Sequence, residues 1–306
     1  MFKNLFLFRF LKPFTLSTDE LHQKLAEQAF RPCGGLDLYS MGWVPPLGQE
    51  ANYYTHSINN CIIFTARRQE KILPASVIRE HLDEKVKEIE STEHRKLSKK
   101  EKNVLKEEVL QTLIPRAFSR TSHLSAYIDV QNGWLIVNTG SEKKAQELTV
   151  LLRKTIDSLP IVIPHTNRAP ASVMTAWLSE QQYPHDFKIE DACQMVDNEQ
   201  ASVQCRKQDL LTEEIHGHLE AGKQVKKLAL QWEERLSLVL TDELVIRNLR
   251  FLNESPETDG SSEDAKESYT ERFDSEFTLM ILELRQFLPR LFEVFGGENE
   301  ESYQRL

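Results

Sequence analysis

Apolar residues along this chain switch between two spacings, and the switches mark its elements. "FKNLFLFRF" sets bulky aromatics in the pattern of a half-buried strand. Ser17 to Glu20 form a capping box, after which Leu21, Leu25 and Ala29 recur at helical spacing. "RPCGGLDLYSMGWVPPLG" holds too much Gly and Pro to continue that helix and is expected to be an ordered loop. "CIIFTARR" reads as a strand. Pro74 then opens a long, highly charged helical stretch, which a second capping box (Ser98 with Glu101) divides into helices over about 75–95 and 99–114. The tip of this hairpin is Arg95 to Lys102.

Beyond it, Ala126, Ile128 and Val130 alternate with polar neighbours, and Asn132-Gly133 signals a tight hairpin. "EKKAQELTVLLRKTIDSL" is an amphipathic helix, followed by the strand "IVI" and a short helix near Val173 to Ser179. Residues 200–252 are mostly strand, in "ASVQCRKQDL", "KQVKKLALQW", "RLSLVLT" and "LVIRNLRF", with one helix over 213–221 stopped by Gly222. The segment 253–268 is acidic and rich in Pro, Gly and Ser, as expected of a solvated tether. The last helix puts Phe273, Phe277, Met280, Ile281, Leu284, Phe287, Leu288 and Leu291 on one face, with Pro289 expected to kink it before Gly296-Gly297.

These elements predict an α+β fold with mixed or antiparallel sheets and a projecting helical-hairpin arm. A central body over 1–73, 116–170 and 270–306 carries the arm over 74–115. A β-rich base domain occupies 171–269 and includes the linker 253–268.

Net charge changes the picture only when it is mapped. The total of −9 is carried by residues 253–306, where 14 acidic residues meet 5 basic ones, so the rest of the chain balances to zero and can hold a basic surface. Cys33, Cys61, Cys193 and Cys205 form no CxxC pair, which suits free thiols in a reducing cytosol. Arg9 and Lys12 interrupt the N-terminal apolar run, no small-residue cleavage site follows, and no stretch approaches a membrane span. A soluble, cytoplasmic protein is expected.

Phosphate-binding glycine loops, a nucleophile elbow and HExxH are all missing. His216 and His218 are two apart on a helix and do not share a face, and the acidic segment lacks the ligand spacing of a calcium loop. Glu213-Glu214 suits a helix N-terminus on dipole grounds. No metal, cofactor or catalytic residue is expected.

Cations, by contrast, cluster. Arg95, Lys96, Lys99 and Lys100 crowd the hairpin tip, and Arg206, Lys223, Lys226 and Lys227 fall on neighbouring strands. In "KKLALQW", Leu228, Leu230 and Trp232 take one strand face and Lys227, Ala229 and Gln231 the other. Like charges side by side on a sheet repel unless an anion lies across them, and a phosphate backbone is such an anion.

The stretches "FKNLFLFR", "AFRPCGG", "MGWVPPLG", "LIPRAFSR", "KKAQELTVLLRK", "EAGKQVKKLALQW" and "RFDSEFTLM", in this order, make the chain resemble the RdgC family of recombination-associated, nucleoid-located DNA-binding proteins. The acidic linker fits the resemblance less well, and Leu211 leaves the helix cap after "KQDL" to Thr212. The resemblance implies a ring-shaped homodimer with a positively lined hole for duplex DNA. It also implies binding of double- and single-stranded DNA with little sequence preference, antagonism of RecA-type recombinase, a role at stalled replication forks, and no catalysis. Arg116 and Phe118 are candidates for one subunit contact and Lys207 and Gln208 for the other. Phe118 is either an aromatic anchor in that contact or ordinary core. Two alternatives stand beside this reading. One is a metal-dependent nuclease; the other is an interaction scaffold acting through the acidic segment and the last helix.

Overall fold

A computed structural model describes residues 1–48, 51–252 and 269–303. The acidic segment 253–268 lies outside these residues. The fold is α+β, and all of the strand pairs among the described residues are antiparallel.

The first sheet has seven strands. Its order is β2 (Tyr39–Val44), β4 (Cys61–Lys71), β5 (Ser119–Asp129), β6 (Trp134–Val137), β1 (Phe6–Phe10) and β7 (Ile161–Val162), and β3 (His56–Ile58) also pairs with β4. The second has five strands in the order β12 (Ile246–Phe251), β11 (Leu236–Thr241), β10 (Gln224–Trp232), β8 (Phe187–Val196) and β9 (Ser202–Arg206), so β9 is an edge strand beyond β8.

Alternation along β1 divides the first sheet's faces. Phe6, Phe8 and Phe10 enter a core built with α1 (Thr18–Glu27) and α4 (Glu142–Ile156), while Leu5 and Leu7 enter a second core. That second core extends to the five-stranded sheet, α5 (Pro170–Ser179) and α6 (Glu213–Glu220), with the long helix α7 (Tyr269–Val294) at its centre. Phe292 stacks on Trp134 and Phe277 meets Tyr127, both in the first sheet, whereas Phe287 meets Phe187 and Trp232 in the second. At about 100° per residue the buried positions of α7 span an arc of about 140°, wide enough to serve two surfaces.

One arginine ties α7 to each sheet. Arg285 grips Asp129 with two bonds of 2.9 Å and donates to the Asn59 carbonyl. Arg290 grips Asp186 at 2.8 and 2.9 Å, and Trp232 Nε1 donates to the same carboxylate. The Arg290 hydrogen bonds hold Asp186 at a pKa of about 2. Burial pushes the Asp129 carboxyl upward, but hydrogen bonds from Arg285 and Asn132 outweigh it and leave the group below its ordinary value.

Several elements differ from the sequence reading. The Gly/Pro-rich segment contains strand β2, and a Cβ on its Gly42 would fall 2.5 Å from the Phe30 Cα, so glycine there marks close backbone approach. Trp43 bonds in parallel with the chain at Gln28 and Phe30, which explains why α1 stops before Ala29. Strand β8 has no counterpart in the reading. Thr212 does occupy the N-cap of α6, yet its hydroxyl donates to Asp209 instead of accepting from the helix.

Candidate nucleic-acid interface

Strands β4 and β5 pair over eleven residues each, from Cys61/Asp129 to Lys71/Ser119. Only the Cys61–Ala66 half of β4 is buried, so the ribbon runs roughly 17 Å past the core at 3.4 Å per residue. Its far end joins α2 (Ala75–Glu93) and α3 (Lys99–Leu113), which pack on each other and bury Val86, Leu105 and Val109.

The turn between these helices is held by local polar chemistry. His94 ends α2 in the left-handed region at φ 52°, and Ser98 with Glu101 completes the expected capping box. Arg95 lies between Glu93 and Glu101, 2.7 Å from each. Its hydrogen bond, aided by Ser98, draws the Glu101 carboxyl down to about 2. Lys102 pairs with Glu90. Lys96, Lys99 and Lys100 are exposed and hold no ion pair among the described residues.

The second cluster divides in the same way. Lys223 binds Asp197 at 2.7 Å and Lys226 binds Asp242 at 2.8 Å, so two expected phosphate ligands already have intramolecular anions. Arg247 on β12 donates to the Gly140 carbonyl at 2.7 Å. Lys227 lies in register with Gln194 and Thr241, on the face opposite Leu228, and has no acidic partner among the described residues. Arg206 is exposed on edge strand β9. Lys188 on β8 shares the outer face, in register with Gln231. The alternation of Phe187 with Ile189 carries a strand signal that could have located it.

Lys207 and Gln208 follow β9. Lys207 is exposed with a φ of 54°, and Gln208 donates through its side chain to Glu214 and through its backbone to the Asp191 carbonyl. Asp191, Lys207, Gln208 and Leu211 line one shallow concavity.

A single 3-10 turn over Ile114–Arg116 delivers the chain from α3 into β5. Ile114 is buried, Arg116 is exposed, and Phe118 is 85% exposed. The Phe118 carbonyl accepts from Ile72 NH, and Leu38, which accepts from Lys71 NH, brings a further exposed apolar side chain to this end of the sheet. Phe118 therefore does not belong to the core.

Among the described residues, no group of three or more His, Cys, Asp or Glu is placed to hold a metal ion, and no helix is long and apolar enough to cross a membrane.

The family described as "Putative exonuclease, RdgC" matches residues 1–298. Proteins named "Recombination-associated protein RdgC" are 45% identical in Aeromonas hydrophila, over 98% of this chain and 99% of that protein. In Psychromonas ingrahamii and Yersinia pestis, identity is 41% and 40%, each over 97% of this chain and 98% of the relative. From its first strand to the end of its long helix, this chain is a member of the RdgC family.

Proposed function

We propose that the chain acts as a homodimer that encircles double-stranded DNA, also binds single strands, reads neither by sequence, and limits recombinase access during recombination and replication-fork repair in the nucleoid. The observation that carries this reading is Phe118. An 85% exposed phenylalanine beside the exposed Arg116 is costly in water, and aromatics and arginines are the residues that dominate subunit contacts. In this arrangement α2 and α3 form an arm that reaches the partner, the first sheet forms the body, and the five-stranded sheet forms a base. Lys207 and Gln208 close the opposite side.

Lys96, Lys99, Lys100, Arg206 and Lys227 face the phosphates directly. Arg95, Lys223 and Lys226 first exchange a carboxylate for a phosphate. Closure makes weak phosphate contacts persistent, because duplex leaves a closed ring only by sliding off an end or by ring opening.

The test combines sedimentation with DNA release. A dimer is expected, with slower release from circular than from linear plasmid; a monomer, or equal release rates, overturns the ring. The family description names an exonuclease. Incubation of end-labelled linear DNA with magnesium or manganese is expected to leave its length unchanged, and progressive shortening would replace the noncatalytic reading.

A further inference from the structure

Between the first sheet and α7 lies a cavity of about 240 Å³. Trp134, Ile136, Leu284, Leu288 and Phe292 make its wall largely apolar. Four charged groups at its margin are already matched in pairs, Arg9 with Glu298 at 3.3 Å and Arg285 with Asp129 at 2.9 Å. The site thus offers no surplus charge, and an ionic guest would have to break one of these pairs.

Tyr127 also lines it. Its side chain is only 2% exposed, and its ring is fixed by Phe2 at 5.6 Å and Phe277 at 5.4 Å. The hydroxyl has no hydrogen-bond partner among the described residues. A phenol donor without a protein partner, on a side chain that lines a cavity, is free to serve whatever occupies that cavity. Burial pushes the Tyr127 phenol well above its ordinary value, which keeps the group a neutral donor.

Shape narrows the guest further. Phe292 at 5.2 Å and the Arg9 guanidinium at 4.7 Å already pack on Trp134, which restricts how a ligand can stack on the indole. An apolar cavity of about 150 Å³ admits benzene, which makes this larger one suitable for two fused rings.

We propose that this cavity is a binding site for a small, uncharged bicyclic aromatic molecule whose hydrogen-bond acceptor meets the Tyr127 hydroxyl. Such a ligand would contact α7 through Leu284 and Leu288 and the first sheet through Trp134, touching none of the cations assigned to DNA.

The probes are quinoline, which carries a ring acceptor, naphthalene, which has the same shape without one, and benzoate, which is charged. Each is titrated into the full chain near neutral pH and followed by ligand-observed NMR. Quinoline is expected to bind, and Tyr127→Phe to weaken it roughly three- to tenfold, the worth of one neutral hydrogen bond. Naphthalene should change less than twofold in the same variant, and benzoate should bind more weakly than either. Intermolecular nuclear Overhauser contacts from quinoline to the Leu284 and Leu288 methyls are expected in the unmodified protein, a readout that does not depend on the variant. No quinoline binding up to its solubility, contacts elsewhere on the protein, equal affinity in Tyr127→Phe, or benzoate binding as well as quinoline would each overturn the proposal.

Discussion

Lys96 and Lys100 stand in water at the α2–α3 turn, while Lys223 and Lys226 each hold an aspartate. A titration of DNA affinity against salt separates the two kinds, because each phosphate neutralised by a free cation contributes about 0.9 to the log–log slope. Lys96→Ala with Lys100→Ala should flatten that slope by about 2 and weaken two unrelated duplexes alike. Lys226→Ala should weaken binding less than the loss of either free lysine, since Lys226 must first release Asp242. Phe118→Ala should shift the monomer–dimer equilibrium in sedimentation while moving monomer stability by less than about 0.5 kcal/mol, as for an exposed side chain. Asp186 titrates in the other direction from a buried histidine. Its folded pKa of about 2 lies below the ordinary 3.8, so its contribution is whole above pH 4 and is lost as the pH falls toward 2. Asp186→Asn should flatten that acid limb of the unfolding curve and cost about 2 kcal/mol at neutral pH, the worth of hydrogen bonds to a charged group. The sequence displays which lysines exist. It conceals their partners, because Asp197 and Asp242 reach Lys223 and Lys226 only through the strand hairpins on either side of β10.

Elements with a strong local signal were legible. Both capping boxes form as read, the Asn132-Gly133 turn joins β5 to β6, and Gly222 ends α6. Strand β2 was hidden because its flanks are Gly- and Pro-rich and its pairing with β4 is set by tertiary contact. Strand β8 was hidden because bulges interrupt its alternation between Ile189 and Cys193. Helices α2 and α3 bury only three side chains between them, so they should open well below the global unfolding free energy. Hydrogen exchange should therefore be faster in α2 and α3 than in α4 or α7. Ser98→Ala, which removes a cap worth about 1 kcal/mol, should speed exchange at the start of α3 without moving the main melting transition.

At the scale of the molecule, the stripe of apolar residues on α7 was visible in the sequence, but its meaning was not. A single stripe suggests one surface, and the helix instead serves two. Nine of its side chains and the following turn, from Phe277 to Phe295, are buried, at roughly 2 kcal/mol each in gross transfer energy. During translation both sheets are complete before this helix leaves the ribosome. At 5–20 residues per second, the newly made surfaces around Tyr127, Trp134 and Trp232 wait several seconds for their cover. A chain cut at residue 252 should consequently precipitate or stay bound to chaperones, and supplying 269–303 as a separate peptide should rescue its solubility.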